Sequence, residues 1–178
     1  MVIIQSILGL KTEDLTFEIF LHFASLIAIV LFFYKKLWLM IKSFIQYIFN
    51  KDLRKDEEVK HNFNLCIYLV IATIPAGIVG VLFEDIIGEY LSQMWIVGCF
   101  LLVTSAMLYL ITKINRNRTI KELTWFDALV IGLFQCIGVL PGVSRSGSCI
   151  VGGSSRKLNQ SDAAEFAFIM AIPIMLGS

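Results

Sequence analysis

This sequence is short of charge. Of its 178 residues, 16% are charged and 57% are hydrophobic, and the mean hydropathy is +0.79. A soluble domain carries about 25% charged residues, so the composition excludes one and points to an integral membrane protein. The net charge of +1 comes with no basic, aromatic-interleaved patch, which leaves nothing to hold nucleic acid. Cys66, Cys99, Cys136 and Cys149 lie in apolar surroundings with no CxxC pair, so neither a disulfide framework nor a zinc site is expected. The apolar run from Val2 to Leu10 lacks a basic flank, and no cleavable signal peptide is expected from it.

What is present is a series of apolar runs separated by charge. About 20 residues suffice to cross a hydrocarbon core near 30 Å. Spans are expected over about 15–34, 62–83 and 94–112, with a further span from about 161, in a single membrane domain over 1–178. Lys35 and Lys36 are expected to stop the first span. Residues 37–50, with Lys42, Ser43 and Gln46 on one side, then suit a helix lying at the interface. No Lys or Arg occurs between His61 and Thr112, whereas 35–60 hold seven and 113–121 hold four. The excess of basic residues places both of those loops in the cytoplasm and the acidic loop at 84–93 outside. Trp38, Trp95 and Trp125 fall at the expected segment ends, as an aromatic belt requires.

Between Asp127 and Arg156 the sole charge is Arg145, in the stretch Leu140-Pro141-Gly142-Val143-Ser144-Arg145-Ser146-Gly147-Ser148. An arginine inside an apolar segment is costly, and its default reading is a functional site facing a cavity. Its surroundings suit an anion. Ser144, Ser146 and Ser148 can donate hydrogen bonds, Gly142 and Gly147 admit close backbone approach, and a helix beginning after the loop would aim free N–H groups at the same place. A planar guanidinium matches a phosphate better than an ammonium does. The blander alternative is a proline–glycine kink whose arginine pairs with a carboxylate elsewhere in the bundle. Residues 127–140 are too few to cross the core, and Arg156 and Lys157 follow soon after the loop, so a re-entrant helical hairpin over about 127–155 is expected.

Shifting the sequence by 147 positions sets Glu18 over Glu165, Ala24 over Ala171 and Ile27 over Ile174. The charge rule runs the first of these helices inward and the last outward, which is the pattern of an inverted repeat with a ligand site near the midplane. Glu18 and Glu165 would then be equivalent carboxylates of the site, or else glutamates favoured by a helix N-terminus. The fold class expected is an all-α polytopic helical bundle with an inverted repeat and at least one re-entrant hairpin.

The segments Asp127–Cys136, Pro141–Gly147 and Ala163–Phe168 together resemble the undecaprenyl-diphosphate phosphatases, the bacitracin-resistance family. Ala72–Gly77 and Phe17–His22 also look like segments of that family. The resemblance implies a bacterial cytoplasmic-membrane enzyme that removes one phosphate from undecaprenyl diphosphate and so recycles the lipid carrier of cell-wall synthesis. It implies a divalent cation, magnesium or calcium, as cofactor, and an isoprenoid diphosphate lipid as substrate. Carried over, Arg145 would clamp the phosphoryl oxygens. Ser144 and Ser146 would donate to them, and Gly142, Gly147 and Ser148 would shape the pocket with Glu18 and Glu165. Assembly with further copies of the chain stays open.

One part of the family pattern has no counterpart here. The family carries a glutamate-rich motif ending in serine-serine-x-x-histidine ahead of the segment like Phe17–His22, and further spans at the C-terminal end. The expectation is a fragment of a longer protein or, if the chain is whole, a weakly active or inactive relative. Neither His22 nor His61 is expected to replace the missing histidine, and no metal ligand is assigned. A carrier that moves lipid phosphate without cleaving it would need the same anion clamp and stays as the alternative.

Overall fold

A computed structural model describes residues 15–83, 91, 93–113 and 116–177, with the side chains of 15–19 and of Gly177 outside the described set. The expected short apolar piece at the N-terminus and most of the acidic loop lie outside it. Among the described residues there are six helices and no strand: α1 (Leu15–Phe49), α2 (Glu57–Leu82), α3 (Met94–Ile111), α4 (Trp125–Ile137), α5 (Arg145–Ser155) and α6 (Gln160–Gly177). Residues Phe20–Phe49 of α1, all of α2 and all of α3 are long and apolar enough to cross a membrane.

The first helix differs from expectation. Lys35 and Lys36 do not end it, because lysine is a good helix former and its charge needs only a partner. Lys36 finds one in Glu165 of α6, at 2.6 Å. The interface helix expected over 37–50 is therefore the second half of α1. Its Ser43 does not join Lys42 on a wet face: it is buried and accepts a hydrogen bond from Asn62 Nδ2 of α2 at 3.2 Å. Phe63 stacks against Tyr47 and Phe44 beside that pair. The end of α1 is closed by Arg54, whose guanidinium donates to the carbonyls of Tyr47 (2.8 Å) and Ile48 (3.1 Å), two of the orphan acceptors every helix leaves at its C-terminus. Asp56 then caps α2 by accepting from the N–H of Glu58, so part of the charged run 51–60 is already helical.

The centre of the molecule is α4, packed between α2 and α5. Its buried stripe is Ala128, Ile131, Gly132 and Gln135, at the i, i+3, i+4, i+7 spacing of one helix face. Small residues let backbones touch, as helices must where lipid gives them no hydrophobic push together. A Cβ on Gly132 would stand 2.5 Å from the carbonyl oxygen of Ala72 in α2, and one on Gly152 would stand 3.1 Å from Cα of Ile131. On the far side of α5, Gly153 meets Ala163 of α6. Leu65, Ala72, Ile131, Leu158, Phe166 and Met170 fill the core around these contacts.

The two ends of the α4–α5 pair are tied together. Thr124 and Asp127 form a capping box at the start of α4. Asp127 is fully buried, and its two oxygens take Arg156 Nε at 2.6 Å and Arg118 Nη2 at 2.8 Å. Arg118 also donates to the carbonyl of Arg156, while its backbone exchanges hydrogen bonds with Lys157 and Asn159. Asn159 caps α6 through the N–H of Asp162, and Asp162 accepts from the N–H of Ile120. The start of α4, the end of α5 and the start of α6 therefore meet in one polar clasp.

Burial pushes the Asp127 carboxyl up, but hydrogen bonds from Arg118, Arg156 and Thr124 outweigh it and hold it at about 2, below the usual 3.8. A lowered folded-state value stabilises above the unfolded one and is lost as pH falls through the folded one. Detergent-purified protein should therefore lose thermal stability between about pH 4 and pH 2, and Asp127→Asn should lack that component. At neutral pH Asp127→Asn should cost about 3 kcal/mol, since it leaves two arginines facing a neutral group and those arginines are partly in water. A melting temperature unmoved by the substitution would show that the clasp does not hold the pair closed.

Candidate functional site

The loop from 138 to 144 closes the hairpin at the end opposite the clasp. Two glycines make the closure possible. A Cβ on Gly138 would lie 2.7 Å from Cα of Arg145, so the two arms touch there through backbone. Gly142 has φ +93°, a left-handed conformation that favours glycine, and a Cβ on it would be 2.6 Å from the carbonyl oxygen of Val97 in α3. The loop is thus pressed onto α3. Ser144 continues the contact, its N–H donating to Thr104 Oγ1 at 3.4 Å.

Ser144 is also the N-cap of α5. Its Oγ accepts from the N–H of Gly147 at 3.1 Å and lies 3.5 Å from Ser146 Oγ. Gly147 has to be small, because a Cβ there would come within 3.0 Å of the capping hydroxyl. The N–H groups of the first turn point out of the helix and carry the positive end of its dipole. Arg145 opens that turn. It is partly exposed, and among the described residues its guanidinium makes no ion pair and no hydrogen bond. The alternative in which a carboxylate of the bundle neutralises it is not realised there: Asp127 is taken by Arg118 and Arg156, and Glu165 by Lys36. Ser148, one turn on, is 2% exposed, and its Oγ has no hydrogen-bond partner among the described residues. An unpaired cation, a helix N-terminus and spare hydroxyls collect at one place, which can do one thing chemically: stabilise an oxyanion.

The other expected site residues lie elsewhere or outside description. Glu165 is on α6, two residues beyond Ala163, and so stands near the clasp end of α5. It borders an open groove of about 560 Å³ between α1 and α6, which Phe32, Phe33 and Phe168 line. Glu18 falls in the first turn of α1, with its side chain outside the described set. The structure therefore brings Gly142, Ser144, Arg145, Ser146, Gly147 and Ser148 together and leaves Glu165 apart from them.

A divalent cation needs a cluster of oxygen donors, usually with more than one carboxylate. Among the described residues no three His, Cys, Asp or Glu side chains come together, and the tip of the hairpin offers hydroxyls and a cation instead. The described residues do not fit a metal site. His22 is exposed on α1, and His61 sits within α2.

Two features of this region escape a reading of motifs. The Asp127 clasp had one signal, the pair of opposite charges bracketing an apolar run. Gln135, buried in the last turn of α4 beneath the loop, stands out only as a polar residue in an apolar run.

The model of the family described as bacitracin resistance protein BacA matches residues 1–178. The chain is 40% identical over 177 residues to a Bacillus anthracis protein named undecaprenyl-diphosphatase 3, covering 99% of this chain and 64% of that protein. It is 36% identical to the undecaprenyl-diphosphatases of Oceanobacillus iheyensis and Alkaliphilus metalliredigens, covering 99% and 98% of this chain and 64% of each relative. It thus spans a little under two thirds of the length of these curated relatives. A family match from end to end shows that this chain belongs to the bacitracin resistance protein BacA family.

Proposed function

We propose that this chain carries the phosphate-clamping half of a membrane phosphatase that hydrolyses undecaprenyl diphosphate to the monophosphate. The single observation that carries the proposal is the start of α5, where Arg145 stands without an anionic partner among the described residues and beside three serine hydroxyls. The names of the relatives supply the substrate class. Hydrolysis breaks the anhydride bond between the two phosphorus atoms and adds water across it. Charge grows on the bridging oxygen and spreads over the transferring group. Arg145 offers two parallel N–H donors to that charge, and Ser144, Ser146 and the first-turn amides add neutral donors around it.

The hairpin geometry supports a site inside the membrane. With 13 residues α4 is about 20 Å long and with 11 residues α5 is about 16 Å, both short of a core near 30 Å. Their outer ends meet at the clasp, so the chain enters and leaves on one side, and the basic loops make that side cytoplasmic. The tip contacts Thr104, eleventh in the 18 residues of α3 and about 15 Å along it, near the middle of the core. On this reading the protein sits in the bacterial cytoplasmic membrane, and its lipid substrate reaches the tip from the outer leaflet. Ser144 is exposed and Arg145 and Ser146 are half-exposed, so the described residues form one wall of the site. If a divalent cation takes part, its carboxylates come from outside the described residues.

Binding of undecaprenyl diphosphate and release of phosphate, measured together on detergent-purified protein, test the proposal. Arg145→Ala should cut release by about 10²–10³-fold, the size of losing one preorganised oxyanion donor, and weaken lipid binding without lowering the melting temperature. Arg145→Lys should recover only part of this, since a point charge cannot replace a two-pronged fork. Undiminished binding and release in Arg145→Ala would overturn the clamp. Movement of intact lipid with no phosphate release would replace the phosphatase by a carrier.

A further inference from the structure

Beneath the loop, Gln135 and Ser148 present a problem in hydrogen bonding. Gln135 is 1% exposed and Ser148 is 2% exposed. Among the described residues, Gln135 Nε2 and Ser148 Oγ are both without a hydrogen-bond partner. Buried polar groups are nearly always bonded, and an orphan costs folding free energy that an apolar residue in its place would not. Gln135 is on α4 and Ser148 on α5, the two arms of the hairpin. The Cys149 thiol, next in sequence to Ser148, donates to Gln135 Oε1 at 3.4 Å. A thiol donor calls for the carboxamide oxygen, which turns the two N–H donors of Nε2 away from Cys149. Ser148 in turn belongs to the first turn of α5, its own N–H bonded to the Ser144 carbonyl at 2.8 Å.

We propose that Gln135 is a positioning residue for the phosphate site and that it acts through Ser148. The inference rests on the phosphate reading of the preceding section. When an anion settles on the start of α5, Gln135 Nε2 donates to Ser148 Oγ and occupies a lone pair of that hydroxyl. The hydroxyl proton is then committed to the phosphate oxygen. Cys149, Gln135, Ser148 and the ligand form one directed chain, S–H to Oε1, Nε2–H to Oγ, and O–H to phosphate. A serine hydroxyl left to itself rotates and can present either a proton or a lone pair. Next to a phosphate only the proton is useful, and the carboxamide selects it. The arrangement also explains why a glutamine is held in an otherwise apolar stripe of α4, where Ala128, Ile131 and Gly132 precede it.

The test compares Gln135→Leu, Ser148→Ala, the double substitution and Arg145→Ala in the same detergent-purified protein, with undecaprenyl diphosphate as the probe. Gln135→Leu should lower kcat/KM for phosphate release about 10-fold, with the melting temperature unchanged or raised because the orphan amide is gone. Ser148→Ala should give a loss of similar size. Because the two act as one chain, the double variant should be no worse than Ser148→Ala alone. Losses that multiply in the double variant would overturn the inference, since the residues would then act independently. So would wild-type release in Gln135→Leu, or in Ser148→Ala should the glutamine variant fail to fold. Wild-type release in Arg145→Ala would bring down the phosphate reading itself. Loss confined to Gln135→Leu and Ser148→Ala with a lowered melting temperature in both would mark a packing role and overturn the inference while leaving that reading in place.

Discussion

The architecture depends on one buried carboxylate held by two arginines. Asp127 opens α4, Arg156 ends α5, and Arg118 belongs to the loop before them. By joining all three, the clasp fixes both feet of a hairpin whose arms are too short to cross a membrane. Burying an ion pair costs desolvation, so such a pair is weak evidence for stability gained over an apolar pair and better evidence for a required geometry. Here the geometry is a helical hairpin whose second arm returns to the foot of the first. Everything at the tip follows from that return, because α5 can direct its N-terminus into the bundle only if its C-terminus stays at the surface.

Charge is accordingly divided into two kinds. At the clasp and at the Lys36–Glu165 pair, each cation has an anion and serves packing. At the tip, Arg145 has none among the described residues, and neither do the donors around it. An excess of donors without acceptors is poor design for stability alone and good design for an anionic ligand, whose oxygens supply what is lacking. The glycines serve this division. Gly132 and Gly152 bring the arms against α2 and each other, while Gly138, Gly142 and Gly147 give the loop room to turn beneath Arg145.

Much of this was legible in the sequence because it is encoded locally. The isolated Arg145, the proline and glycine before it and the serines around it identify the loop, and the length of the apolar runs gives α3 almost to the residue. What was illegible depends on partners far along the chain. Lys35 and Lys36 look like a stop, and α1 runs through them because Glu165, over a hundred residues away, receives Lys36. Ser43 looks like part of a wet face and is buried because Asn62 faces it. Glu165 looks like half of a symmetric pair with Glu18, yet its described contact is with a lysine. Gln135 stands out only as a polar residue in an apolar run, and its orphaned amide is visible only when its surroundings are.

The most direct measurement of the central claim is sidedness of labelling in a cysteine-free background carrying one new cysteine at a time. Lys121→Cys and Lys157→Cys flank the feet of the hairpin, and Ser144→Cys sits at its tip; all three positions are exposed. The account predicts that a membrane-impermeant thiol reagent reaches the two feet from the cytoplasmic side only. It should reach the tip from the outer side only, and undecaprenyl diphosphate should slow that reaction. Labelling of the two feet from opposite sides would contradict the account, because α4 and α5 would then cross the membrane and Arg145 would not lie at the end of a re-entrant pocket.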